Sequence, residues 1–121
     1  MLLSVVVPVF NEELTIGNVI DRITVVMEKN GFNHEIVVVD DCSTDRSLEF
    51  SRNHGVKVFS LKMHMGKGYA LRAGFAKVKG EIITTIDSDG SHRPEELPGL
   101  LTSILQTKSD LVTGSRYLGL T

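Results

Sequence analysis

The sequence predicts an α/β fold, in which a mostly parallel β-sheet is covered by helices on both faces. Apolar runs rich in β-branched residues alternate along the chain with segments whose apolar residues recur at helical spacing. The runs are apolar throughout rather than at every second position, which is typical of strands buried on both faces. Polar or glycine-containing turns separate the two kinds of segment. Strands that alternate with helices in this way form parallel sheets.

The first predicted strand comprises residues 3–7, a valine-rich run that Pro8 ends. A helix follows, because apolar residues recur at helical spacing from residue 16 to residue 27. Asn11 is its expected N-cap, since the two glutamates behind it suit the positive end of a helix dipole. An Asn-Gly pair at residues 30–31 ends this helix.

The second predicted strand comprises residues 36–39, and two aspartates follow it directly. We expect Ser43 or Thr44 to cap a short helix that reaches about residue 53. The third predicted strand comprises residues 56–61.

A glycine loop at residues 66–68 leads into the third predicted helix, over residues 69–78, which Gly80 ends. The fourth strand comprises residues 82–86 and is followed by an Asp-Ser-Asp-Gly turn.

Pro94 suits the first turn of a fourth helix, which we expect to reach about residue 107. Residues 111–114 form the fifth predicted strand, and the sequence stops soon after it. We therefore expect one domain over residues 1–121, truncated after the fifth strand, that forms the front part of a larger catalytic domain.

Composition and charge exclude several classes of protein. Of the 121 residues, 41% are apolar and 23% are charged, as in soluble globular domains. Thirteen basic and fifteen acidic residues give a net charge of −2, so we expect no nucleic-acid partner. The single cysteine excludes an intramolecular disulfide. No stretch approaches the ~20 apolar residues that span a bilayer.

The strongest chemical signal is the pair of aspartates at Asp87 and Asp89, which follows the fourth strand. In an extended segment, residues two apart point the same way, so both carboxylates can face one hard cation such as Mg²⁺ or Mn²⁺. Magnesium shares its remaining positions with water and substrate phosphates, so the pattern suggests a metal–diphosphate partner. The alternative is a loop in which the aspartates cap the next helix or brace a turn.

Three further features leave two interpretations open. Asp40 and Asp41 either stabilise a turn and cap the next helix, or accept hydrogen bonds from a nucleobase N–H or a ribose hydroxyl. Lys67 lies between two glycines at a helix N-terminus, a natural anion site, although Gly-Lys-Gly alone is a weak signal. Arg116, just past the fifth strand, could meet a phosphate or pair with a nearby aspartate.

The cysteine and the four histidines give weaker signals. Cys42 is interpreted as a small turn residue. His34, His54 and His64 are interpreted as surface or loop residues. His92 follows the Asp-x-Asp pattern closely enough to approach a metal or an acceptor.

Several α/β families lack their signatures here. No G-x-G-x-x-G follows the first strand, which excludes a typical nicotinamide dehydrogenase, and there is no P-loop. Phospho-receiver domains need an acid pair after the first strand and an aspartate after the third. Haloacid-dehalogenase-type phosphatases place Asp-x-Asp after the first strand, not the fourth.

Five segments match a known family in its order and spacing: residues 5–12, 35–41, 66–75, 87–96 and 114–117. On these segments, which cover essentially the whole chain, the sequence resembles the N-terminal half of inverting family 2 glycosyltransferases with the GT-A fold. Within that family it looks closest to dolichol-phosphate mannosyltransferases and related polyprenyl-phosphate glycosyltransferases. The resemblance implies a Rossmann-like, nucleotide-diphospho-sugar transferase fold.

The resemblance also implies a role for each matching residue. The nucleoside pocket would be lined by Pro8, Phe10, Glu12, Val39 and Asp41. The ribose and diphosphate of the donor would be contacted by Asp87 and Ser88.

The catalytic residues implied by the resemblance are Asp89 and Arg116. Asp89 would be the principal protein ligand of Mg²⁺ or Mn²⁺, and Ser91 would be the second protein ligand. Arg116 would face the phosphates of the donor or of the acceptor.

The sequence departs from the family pattern at three of these positions. The family often has Gly or Asn at the position of Cys42. Some relatives place Gln at the position of Ser91, and serine is a poorer metal ligand. Gly90 stands where the family usually has an apolar residue.

The implied activity is the transfer of a sugar, mannose or glucose, from a GDP- or UDP-sugar to a polyprenyl or dolichyl phosphate or to a sugar, with inversion. A phosphate acceptor is already ionised, whereas a sugar hydroxyl needs a carboxylate base, and the sequence shows no convincing base. The alternatives are a non-catalytic nucleotide-binding module and a nucleotidyltransferase, which would need a glycine-rich basic signature after the first strand. We expect the full-length protein to lie at the cytoplasmic face of a membrane, which it would reach through segments outside this chain. We also expect that the fragment alone binds the donor without transferring the sugar.

Overall fold

The computed structural model describes residues 1–107, 111–113 and 117–120. Its strands are β1 (Leu2–Val9), β2 (Asn33–Asp40), β3 (Lys57–Ser60), β4 (Ile82–Thr85), β5 (Leu111–Thr113) and β6 (Tyr117–Leu120). Its α-helices are α1 (Ile16–Lys29), α2 (Ser47–Arg52), α3 (Lys67–Phe75) and α4 (Leu97–Thr107). A short 3₁₀ helix, Pro94–Glu96, directly precedes α4 and has its proline in the first turn, as predicted.

The six strands form one sheet in the order β3-β2-β1-β4-β6-β5. Strands β1 to β4 are parallel, and β6 runs antiparallel to both β4 and β5. The chain builds the sheet outward from β1 to β3 and then returns to place β4 on the other side of β1. The strand order therefore reverses between β1 and β4, and in open α/β sheets ligands bind beyond the strand ends at such a point.

The mostly parallel sheet confirms the predicted fold class, and β6 is the one strand that the sequence analysis did not predict. It has only four residues and contains Gly119, which weakens the pattern of a strand. Among the helices in the described residues, none combines the length and hydropathy of a membrane span.

The core explains why the strands are apolar on both faces. One face of the sheet packs against α1, whose buried residues recur at helical spacing: Ile16, Val19, Ile20, Ile23, Val26 and Met27. The other face packs against α3, where Ala70 contacts Val37 and Val39. A Cβ at Gly74 would lie 2.5 Å from Val6 Cγ1, so this glycine lets α3 lie directly on the sheet.

The predicted N-caps of α1 and α2 are wrong. Asn11 lies in the left-handed region, at φ 53°, and the N-cap of α1 is Thr15. The Asn11 side-chain oxygen accepts the N–H of Thr44 at 2.8 Å, and Ser43 Oγ accepts the N–H of Asn11 at 3.0 Å. The residue at the N-cap of α2 is Arg46. The polar side chains thus join the two loops to each other instead of capping helices.

Gly80 does not end α3 either, since that helix stops at Phe75. Its role is close packing, because a Cβ at Gly80 would lie 2.4 Å from Ser4 Oγ and 2.8 Å from the Leu2 carbonyl oxygen.

Candidate functional site

A cleft of about 340 Å³ lies beyond the carboxyl ends of β1, β2 and β4, at the reversal of strand order. Its lining comprises Pro8, Val9, Phe10, Glu12, Asp41, His64, Gly66, Lys67, Ala70, Asp87, Ser88 and Asp89. Seven of these were predicted as site residues from the sequence. The fold therefore brings residues separated by up to about eighty positions into one cavity.

Asp41 joins the end of β2 to the loop before α3. Its side chain is buried, and its Oδ1 accepts the N–H of Met65 at 2.7 Å while its Oδ2 accepts the N–H of Gly66 at 2.9 Å. His64 Nδ1 also lies 2.8 Å from Oδ2. Both carboxylate oxygens are thus used by this loop, and hydrogen bonds to an ionised acceptor are among the stronger ones in proteins.

His64 lies on the cleft wall, although the sequence analysis interpreted it only as a surface or loop residue. Its ring lies against the ring of Phe10, with the centroids 4.0 Å apart and the planes tilted by 31°. The signal that could have located it is its position two residues before Gly66, in the loop that enters the cleft. Lys67 was recognised as a possible anion site but was not among the predicted site residues.

The first aspartate of the Asp-x-Asp pattern is held by two basic side chains. Lys67 Nζ lies 2.6 Å from Asp87 Oδ1, and His92 Nε2 lies 3.6 Å from Oδ2. The backbone N–H of Asp87 also donates to His92 Nδ1 at 3.1 Å. His92 therefore contacts Asp87, and the lysine offsets part of the repulsion between neighbouring carboxylates.

The second aspartate, Asp89, is exposed and sits in a tight turn. Its Oδ1 accepts the hydroxyl of Ser91 at 2.6 Å and the N–H of Ser91 at 2.9 Å. These hydrogen bonds, the hydroxyl first, lower the pKa of the Asp89 carboxyl below its ordinary value, and partial burial opposes them only weakly. Gly90 lies between the two residues at φ 84°, a conformation that favours glycine.

The oxygen atoms of Asp89 and Ser91 at this turn fit a divalent metal ion that takes most of its ligands from water and from the phosphates of a substrate. Within the described residues, no group of three or more His, Cys, Asp or Glu side chains is arranged to hold a metal. The N–H and the hydroxyl of Ser91 both donate to Oδ1 of Asp89, and Asp89 is part of the cleft lining. Magnesium is commonly held by one or two carboxylates together with water and phosphate oxygens.

Ser88 and Glu12 join the cleft to its surroundings. Ser88 is buried, and its carbonyl oxygen accepts the hydroxyl of Thr15 at 2.6 Å. The N–H of Glu12 donates to Ser47 Oγ at 2.8 Å. The loop after β1 is thereby fixed to the Asp-x-Asp turn on one side and to α2 on the other.

Among the described residues, two predicted site residues, Val39 and Ser91, are not part of the cleft lining. Val39 is fully buried and packs with Val37 and Ala70, so its side chain lies behind the cleft rather than in it. Arg116 lies outside the described residues.

Cys42 has a φ of 62°, in the left-handed region. Glycine and asparagine tolerate this conformation better than cysteine does.

A model described as glycosyl transferase family 2 matches residues 4–120. The dodecaprenyl-phosphate galacturonate synthase of Rhizobium johnstonii is 31% identical over 120 residues, which cover 94% of this chain and 36% of that protein. The dolichol-phosphate mannosyltransferase of Pyrococcus furiosus is 36% identical over 122 residues, which cover 98% of this chain and 34% of that protein. The chain thus spans about a third of the length of these relatives.

A solved structure gives the same result for the fold. The glucosyl-3-phosphoglycerate synthase of Mycobacterium tuberculosis, in complex with Mn²⁺, UDP and glucosyl-3-phosphoglycerate, is similar with a TM-score of 0.83 at 26% identity. The match covers 98% of this chain and 56% of that chain.

Proposed function

This chain belongs to glycosyl transferase family 2, and from that premise we propose that its cleft binds the nucleotide-sugar donor of a sugar-transfer reaction. The observation that supports this most directly is the lining of the cleft. One cavity at the reversal of strand order contains both Asp41, with Phe10 beside it, and the Asp87–Asp89 turn. The first pair suits a nucleoside, and the turn suits a metal-bound diphosphate.

The proposed donor is a GDP- or UDP-sugar, with mannose or glucose as the sugar. UDP is present in the similar synthase from Mycobacterium tuberculosis, and mannose is the sugar named for the relative from Pyrococcus furiosus. Lys67 supports a diphosphate next to Asp87, because its ammonium lies on the cleft wall at the first residue of α3. The N–H groups at a helix N-terminus add to the attraction of an anion.

Asp89 and Ser91 are the residues that would hold Mg²⁺ or Mn²⁺. Such an ion, when bound, acts as a Lewis acid that neutralises the charge on the departing diphosphate. The hydroxyl of Ser91 donates to Asp89 and lowers the pKa of its carboxyl, while Lys67 adds a positive charge on the Asp87 side. Arg116 would add to the stabilisation of the phosphates.

The proposed acceptor is a polyprenyl or dolichyl phosphate, which is the acceptor class in the names of both relatives. A phosphate oxygen is already a nucleophile at neutral pH and needs no general base. Attack on the anomeric carbon from the side opposite the diphosphate would invert its configuration. Such an acceptor would place the complete enzyme at the cytoplasmic face of a membrane.

Calorimetric titrations of GDP, UDP and ADP, each with Mn²⁺ and with EDTA, test the donor site. We expect saturable binding of GDP or UDP that depends on Mn²⁺, and loss of that dependence in Asp89→Asn. The matched control is Asp21→Asn, an exposed aspartate on α1 outside the cleft. A folded chain that binds none of the three nucleotides would contradict the proposal. Binding without donor hydrolysis or sugar transfer would indicate a nucleotide-binding module instead.

A further inference from the structure

We propose that the imidazole of His64 occupies the position that the nucleobase of a bound nucleotide takes, so that the base must displace it. The inference rests on the proposed function, which places the base beside Phe10 and Asp41. It concerns a residue to which the family resemblance assigns no role.

His64 makes two contacts that a nucleobase would itself make in this part of the cleft. Its ring lies against the exposed ring of Phe10 at a centroid distance of 4.0 Å, which is close enough for stacking. Its Nδ1 lies 2.8 Å from Asp41 Oδ2. Because an ionised carboxylate only accepts hydrogen bonds, this Nδ1 carries the proton. Uracil and guanine offer the same combination, a flat ring face and a ring N–H.

Asp41 is closed to any other donor while His64 stays in place. Its side chain is only 3% exposed, its two oxygens accept the N–H groups of Met65 and Gly66, and His64 Nδ1 lies against Oδ2. Because so little of the carboxylate is exposed, a base N–H that approaches Oδ2 from the cleft meets the imidazole. The His64 side chain is 54% exposed, so it can turn into solvent without opening the core.

Displacement lowers the apparent affinity for nucleotides by the fraction of molecules in which the base position is open. Opening it breaks the contact of Nδ1 with the Asp41 carboxylate, its 3.3 Å hydrogen bond to the Asp41 carbonyl oxygen and the ring contact with Phe10, so we expect an open fraction on the order of one tenth. The reduction is the same for every base, because the step precedes contact with the base. A ligand that lacks a base is unaffected.

The test compares the unchanged chain with His64→Ala by calorimetric titration of GDP, UDP and inorganic pyrophosphate, each with Mn²⁺. We expect His64→Ala to bind GDP and UDP about tenfold more tightly, by the same factor for both, and pyrophosphate as before. His64→Phe keeps a ring beside Phe10 but lacks the N–H for Asp41, so we expect a smaller gain. His34→Ala is the matched control, since His34 lies in β2 outside the cleft.

Unchanged or weaker binding of GDP and UDP by His64→Ala would overturn the inference and leave the donor site standing. A gain confined to one base, or an equal gain for pyrophosphate, would also overturn it, because neither follows from displacement at the base position. If His64→Ala bound nucleotides and the unchanged chain did not, the result would support the inference and mean that the imidazole blocks the base position almost completely. Absence of nucleotide binding by both chains would refute the inference and the proposed function together.

Discussion

The ammonium of Lys67 lies 2.6 Å from Oδ1 of Asp87, so the first aspartate of the Asp-x-Asp pattern has a partner at the start of α3. The second aspartate, Asp89, accepts hydrogen bonds from the hydroxyl and the N–H of Ser91, which are neutral donors. Two residues that look alike in the sequence therefore differ in charge environment. This difference makes Asp89 the better candidate to meet a cation and makes Lys67 the better candidate to meet an anion.

We predict that Lys67→Met binds GDP or UDP roughly fivefold more weakly than the unchanged chain. The estimate is modest because Lys67 is more than half exposed, where solvent screens an ion pair to at most about 1 kcal/mol. The measurement is calorimetric titration in Mn²⁺ at low and high salt, and the difference should shrink at high salt. Lys29→Met, on an exposed position at the end of α1, is the control. Equal losses in the two variants would show that only net charge matters.

Asp41→Asn is predicted to lower the free energy of unfolding by about 2 kcal/mol. An amide has one oxygen and one NH₂ group, so it can accept from Met65 or from Gly66 but not from both with the present geometry. One of these two partly buried N–H groups then loses its partner. Urea unfolding followed by circular dichroism measures the change. Asp21→Asn, whose carboxylate is largely exposed, should change the free energy by less than about 0.5 kcal/mol.

The two glycines Gly80 and Gly99 should respond in opposite ways to alanine. A Cβ at Gly80 would meet Ser4 Oγ and the Leu2 carbonyl oxygen at 2.4 and 2.8 Å, so Gly80→Ala should destabilise by about 2 kcal/mol. Gly99 lies in α4 with nothing within 4 Å of the added atom. Gly99→Ala should therefore stabilise, by up to about 1 kcal/mol, through helix propensity. Thermal or urea unfolding measures both changes. If Gly80→Ala were as stable as the unchanged chain, β1 and the segment before β4 could move apart at low cost in free energy.

Some features of this molecule follow from local sequence, and others depend on contacts between distant residues. Strands β1 to β5 and α1 were predictable because apolar patterning is a local signal, and the Asp-x-Asp turn was predictable because it directly follows a strand. The role of Asn11 was not, because its side chain accepts from Thr44, which is 33 positions away. The same holds for His64, whose partners Phe10 and Asp41 belong to other strand ends.

The polar cluster at the opposite end of the sheet, around Glu35, should make stability depend on acid pH. Partial burial would raise the pKa of the Glu35 carboxyl, but hydrogen bonds from Lys57, from Ser4 and from the N–H of Lys79 outweigh it and lower this pKa to about 2. A lowered pKa in the folded state means that the contribution to stability is complete above the unfolded value of about 4.5. It is lost as the pH falls from there through about 2.

We therefore predict that Glu35→Gln lowers the free energy of unfolding by about 2 kcal/mol at pH 7. The reason is that hydrogen bonds to a neutral amide are weaker than hydrogen bonds to a charged carboxylate. The difference between the variant and the unchanged chain should narrow between pH 4.5 and pH 2, because the unchanged chain loses its own Glu35 charge there. Urea unfolding at pH 7, 4 and 3 measures it. Glu28→Gln, an exposed glutamate on α1, should show no such trend. If the difference in free energy of unfolding between Glu35→Gln and the unchanged chain stayed constant down to pH 3, packing rather than charge would hold the cluster together.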